Sequence, residues 1–136
     1  MFPFEFTVPG PPLSHQTRDR KKLEAWRQFV RTSASTRWVH SDPSESAVRI
    51  VVTYYHEGET VRIDNDNLLK PIQDALNGLV YRDDRQISDT AVRKTSVDNP
   101  VRVPGMPRIL YEAFVSCRSF IHVRIEEAPD HSDLMR

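Results

Sequence analysis

Ala47-Val48-Arg49-Ile50-Val51-Val52-Thr53-Tyr54-Tyr55 is apolar or β-branched at almost every position, Arg49 being the exception. A strand with one face in water alternates apolar and polar side chains, whereas a strand covered on both faces does not. The run therefore predicts a strand central in its sheet. Upstream, Phe2, Phe4, Phe6 and Val8 alternate with Pro3, Glu5 and Thr7, the period of a half-buried strand, and Pro9-Gly10-Pro11-Pro12 stops it. From Asp19 to Ala34 the spacing of Leu23, Trp26, Val30 and Ala34 predicts a helix, with Arg20, Arg27 and Arg31 on an adjoining side. Thr36 to Ser46 is polar and loop-like.

Downstream, a second helix is expected from Asn67 to Asn77, with Leu68, Leu69, Ile72, Ala75 and Leu76 as its apolar stripe and Asn77-Gly78 as its stop. Pro71 fits if it lies near the first turn, where its missing N–H costs nothing. Gln86 to Val97 reads as a weaker strand, Asp98 to Pro107 as a loop, Ile109 to Cys117 as a short helix, and Phe120 to Glu126 as a last, alternating strand. The sum is an α/β (α+β) fold. A single compact domain over 1–127 carries a mixed β-sheet of about four strands with two main helices packed on it, and 128–136 is a polar, disordered tail.

At 136 residues the chain suits one domain. Its single cysteine, Cys117, forms no intrachain disulfide, and five scattered histidines offer no zinc spacing, which points to a reduced, cytoplasmic setting. No run approaches the ~20 apolar residues of a membrane span, and the start lacks the pattern of a signal peptide. Lys+Arg and Asp+Glu both number 19, so net charge says nothing for a nucleic-acid partner and local clustering must carry that argument.

The chemistry lies between Arg62 and Gln86, where the acidic pairs Asp64/Asp66 and Asp83/Asp84 bracket one short helix. Asp64 and Asp66 enter that helix at its positive end. An eleven-residue helix is only about 16 Å long, and the turn at Gly78 sends the chain back toward its start. Carboxylates gathered so closely repel unless a cation intervenes, and magnesium takes oxygen ligands while keeping waters for a phosphate. Lys70 follows Asp66 by one turn and is placed to neutralise charge on a transferring phosphoryl group. Other readings compete. The acids and asparagines of residues 64–67 can simply cap the helix, Asp66 and Lys70 can be a solvated pair that Asp74 extends, and Asp83-Asp84 can be an exposed turn. A calcium loop is disfavoured by Leu69 at the sixth position and Ala75 at the twelfth.

The run Asp64-Asn65-Asp66-Asn67-Leu68-x-Lys70, then Asp74-Ala75-Leu76 and Asp83-Asp84-x-Gln86, resembles the RusA family of Holliday junction resolvases. The resemblance extends more weakly to the opening strand with Pro9-Gly10-Pro11-Pro12-x-Ser14 and to the final strand. It implies a homodimeric, magnesium-dependent endonuclease of bacterial or phage origin that binds four-way junctions and nicks them symmetrically, with manganese able to substitute. Matched by position, it implies Asp64, Asp66 and Asp84 as metal ligands and Lys70 as the active-site lysine, with Asp83 the second choice to Asp84. For DNA binding the sequence offers Arg18, Arg20, Lys21 and Lys22, followed by Arg27, Arg31 and Arg37; the plain alternative is a solvated helix face. Trp38, Ile109, Leu110 and Phe114 are available either to the core or to a subunit interface. Two further functions stay open: a magnesium nuclease acting on flaps, single strands or RNA, and a non-catalytic nucleic-acid-binding or phage regulatory module.

Overall fold

A computed structural model describes residues 1–58, 62–98, 104–116 and 118–133. Cys117, the middle of the expected Asp98–Pro107 loop and residues 134–136 of the expected tail lie outside them. In chain order the elements are β1 (Phe4–Pro9), α1 (Arg20–Ser35), β2 (Val48–His56), α2 (Asn65–Leu76), β3 (Ile87–Ser96), α3 (Arg108–Ser116) and β4 (Phe120–Glu127). One 3-10 turn precedes β3 at Asp84–Gln86 and another follows β4 at His131–Asp133. The sheet runs β1-β4-β2-β3, with β4 antiparallel to both its neighbours and β2 parallel to β3. This is the mixed four-stranded α+β sheet expected, with a third helix beside the two main ones. None of the described helices is long and apolar enough to cross a membrane.

Because β2 has a strand on each side and side-chain layers above and below, every one of its residues except Arg49 is buried. Val48, Ile50, Val52 and Tyr54 join Trp26, Val30 and Ala34 of α1 and Leu68, Ile72, Ala75 and Leu76 of α2 in the main core. On the opposite face Tyr55 and Phe120 are closed over by Leu110 and Ala113 of α3. Leu68, Ile72 and Leu76 are fully buried, each contributing about 1.5–3 kcal/mol by removal from water. Parallel pairing of β2 with β3 requires a crossover, and α2 is that crossover.

Asp19 caps α1, its Oδ1 accepting from the Lys22 N–H at 3.0 Å, and Leu23, Trp26, Val30 and Ala34 are the buried stripe. The expected start of α2 needs correction: the helix begins at Asn65 rather than Asn67, so Pro71 sits in its interior. A proline there has no N–H for the carbonyl four residues back. That carbonyl, of Asn67, accepts instead from the His15 N–H at 3.0 Å. At the other end of α2, Arg31 Nη1 donates to the carbonyls of Ala75 at 3.0 Å and Asn77 at 2.7 Å. The two contacts align α1 and α2 in the same direction, so the basic start of one lies at the same end of the molecule as the acidic start of the other. Trp38 and Leu110, open to an interface in the sequence, are core residues, 7% and 2% exposed.

Candidate active site

Asp64 is the residue at the N-terminal cap of α2, with extended backbone, yet its side chain makes no capping hydrogen bond. Asp66 follows in the first turn and its Oδ1 accepts from the Asn67 N–H at 3.1 Å. Both carboxylates are exposed, and the positive end of the helix favours their charge. One turn further on, Lys70 projects from the same face. Its Nζ lies 2.9 Å from Oδ1 of Asp74 and 3.2 Å from Oδ2 of Asp84. The hydrogen bond to Asp74, aided by the one to Asp84, holds Lys70 above the ordinary lysine range despite partial desolvation.

Asp84 reaches Lys70 because the chain after α2 is folded back and pinned. Gly78 takes a φ of 78°, a conformation open to glycine, and its N–H donates to the Tyr81 carbonyl at 2.7 Å. Tyr81 is fully buried and donates its hydroxyl to the Gln73 carbonyl at 2.7 Å. Asp83 and Gln86 then form a reciprocal cap around the single 3-10 turn Asp84–Gln86: Asp83 Oδ1 accepts from the Arg85 N–H at 2.8 Å, and Gln86 Oε1 accepts from the Asp83 N–H at 3.1 Å. The Gln86 amide nitrogen donates to the carbonyls of Ser44 and Ser46, at 2.8 and 2.9 Å, tying the turn to the loop before β2. Asp83 is thus occupied by its own turn, where the Arg85 N–H holds its carboxyl below the usual range. Asp84 is the acid turned to Lys70.

Arg18, Arg20, Lys21 and Lys22 are exposed at the start of α1; Arg20 Nη1 donates to the His15 carbonyl at 3.4 Å, beside the α2 entry. Arg27 instead pairs with Glu24 at 3.3 Å and Asp74 at 3.8 Å, and Arg31 holds the end of α2. Arg37 Nε donates to the Glu5 carbonyl on the edge of β1. Among the described residues no three His, Cys, Asp or Glu side chains stand together as a ready metal cage. The donor set is nonetheless chemically suited to a hard divalent cation: Asp64 is uncommitted as a cap, while Asp66 bonds through Oδ1 and Asp84 through Oδ2, leaving the second oxygen of each.

A family model described as endodeoxyribonuclease RusA matches residues 10–104, well over half of the chain. The chain belongs to the RusA family. A search of curated proteins returned no match. RusA membership makes the protein a nuclease of the Holliday junction resolvase type. The RusA match spans α1, β2, α2 and β3, and so contains Asp64, Asp66, Lys70, Asp74 and Asp84. It leaves out β1 and β4, which pair with each other and complete the sheet.

Two further residues shape this RusA site, Gln86, which the motif contains without a role, and Lys94, which lies outside it. Gln86 anchors the Asp84 turn, and its signal is readable: Asp83 followed three residues later by Gln is a capping box. Lys94 of β3 donates from Nζ to the Ile63 carbonyl at 2.8 Å, fixing the entry to Asp64. A lone lysine on a strand gives no such signal.

Proposed function

We propose that the protein resolves four-way DNA junctions by magnesium-dependent phosphodiester hydrolysis, acting as a homodimer that makes paired, symmetric nicks in the bacterial cytoplasm. Asp64, Asp66 and Asp84 would hold the ion, with manganese able to take its place. When bound, such an ion polarises the scissile phosphate and lowers the pKa of a water nucleophile. Lys70, aimed from the same face of α2, offsets the negative charge that develops on the phosphate in the transition state. The pinned turn at Asp83–Gln86 holds the Asp84 carboxylate beside Lys70, so that less reorganisation is needed when substrate arrives.

The observation that carries this reading is the Lys70–Asp84 ion pair, which brings the later acid onto the helix face that already bears Asp66. The exposed cations Arg18, Arg20, Lys21 and Lys22 stand at the same end and are suited to the phosphate backbone, whereas Arg27 and Arg31 are engaged within the protein. A two-fold dimer matches the approximate two-fold symmetry of the junction, with one acidic site per chain. The test is a panel of labelled substrates, comprising a four-way junction, a flap, a single strand and RNA, with magnesium, manganese or a chelator. Metal-dependent, paired incision of the junction ahead of the others is expected. Equal cleavage of all four, or cleavage in the chelator, overturns the proposal.

A further inference from the structure

The same site holds a charged residue with no part in the proposed chemistry. Asp74 lies one turn beyond Lys70 on α2, and its Oδ1 is 2.9 Å from Lys70 Nζ, nearer than the 3.2 Å of Asp84. Its other oxygen, Oδ2, faces Arg27 of α1 at 3.8 Å, and Arg27 in turn pairs with Glu24. Asp74 and Arg27 are largely shielded, with side chains 24% and 27% exposed, against 43% for Lys70. A lysine carries four rotatable bonds, and a single exposed pair does not fix such a chain. Here the carboxylate that receives it is itself held from behind by a second helix.

We infer that Asp74 is a positioning residue, which aims the Lys70 ammonium at the scissile phosphate; the inference rests on the catalytic reading of Lys70. The division of labour among the acids requires it. A carboxylate that serves a cation, as proposed for Asp84, gives up part of its hold on the lysine. Asp74 stands on the same helix as Lys70, at a spacing set by helix geometry and independent of the Asp84 turn. At neutral pH a lysine is protonated with or without a neighbouring acid, so Asp74 supplies direction rather than charge state.

The test compares Asp74→Ala, Asp74→Asn, Lys70→Ala and the double variant Lys70→Ala/Asp74→Ala. Each is assayed for single-turnover cleavage of a saturating four-way junction and, separately, for junction affinity. Asp74→Ala should slow cleavage by about tenfold to a hundredfold, the scale of a misaimed group, with affinity unchanged. Asp74→Asn keeps an oxygen that accepts from Nζ and should recover most of the rate. The double variant should be no slower than Lys70→Ala, because both changes remove one device. Full-rate Asp74→Ala beside a slow Lys70→Ala overturns the inference alone, as does a double variant slower by the product of the two effects. A full-rate Lys70→Ala overturns the catalytic reading beneath it.

Discussion

Lys70 Nζ lies 3.2 Å from Oδ2 of Asp84, fourteen residues later in the chain. The helix α2 carries the lysine, and the turn at Asp84–Gln86 returns the acid to it. If the lysine acts in the transition state, Lys70→Ala lowers the single-turnover rate by about a hundredfold, the size of effect seen on removing one such stabilising group. Binding of the junction at equilibrium changes little by comparison. Lys70→Arg recovers part of the rate, because its planar fork is longer and aims its donors differently. Loss of binding with an unchanged rate at saturation would show the lysine to be a docking contact.

Arg31 joins the two main helices through two carbonyls of the α2 terminus. Replacing it by Met keeps much of the stem and leaves both carbonyls without this donor. Hydrogen bonds to a charged group contribute about 1.5–3 kcal/mol, so Arg31→Met should lower unfolding free energy by that order in urea, with the slope against denaturant unchanged. A variant as stable as the wild type would mean that solvent satisfies the end of α2 equally well.

The exposed cations Arg18, Arg20, Lys21 and Lys22 at the start of α1 are proposed to meet the phosphate backbone. Junction affinity measured against salt should have a steep slope, reduced by about one for each phosphate the protein ceases to neutralise. Lys21→Ala and Lys22→Ala together are expected to flatten it while leaving cleavage at saturation intact. An unaltered slope would place the DNA elsewhere.

His122 lies on the sheet face away from α1 and α2, against Glu5 at 3.3 Å, with Arg124 also paired to Glu5. Burial depresses its pKa below the ordinary 6.5, although Glu5 opposes this. The unfolded chain therefore binds a proton at a higher pH than the folded one. The contribution of His122 is complete above about pH 6.5 and is lost as pH falls from there through the lower folded value. Thermal melts should show this decline, and His122→Gln should flatten it. An identical decline in the variant would assign it to other groups.

Much of this architecture is legible in the sequence because it depends on residues near one another in the chain. The nearly continuous apolar run of β2, the α1 stripe and the Gly78 turn are local patterns, and the structure follows each. The start of α2 differs because Pro71 suggests a nearby first turn. What permits an interior proline is a partner for the Asn67 carbonyl, and that partner, His15, comes from a distant loop. The Lys70–Asp74 pair is readable from spacing alone. Arg31 is not, since a basic residue beside an apolar stripe looks the same whether it faces phosphate or, as here, two carbonyls more than forty residues away. The order of the strands and the parallel pairing of β2 with β3 likewise depend on tertiary packing that no short window of sequence contains.

Asp64, Asp66 and Asp84 are proposed to form one metal-dependent cleavage site with Lys70. The most direct test of this site is single-turnover cleavage of a labelled four-way junction by the wild-type chain and by Asp84→Asn, with and without magnesium. The substitution keeps side-chain size and removes one anionic ligand. Rapid paired incision by the wild type in magnesium is expected, with none in chelator and at least a hundredfold slower reaction by Asp84→Asn, junction binding being retained or tightened. An Asp84→Asn protein that cuts the junction at the wild-type rate would contradict this assignment.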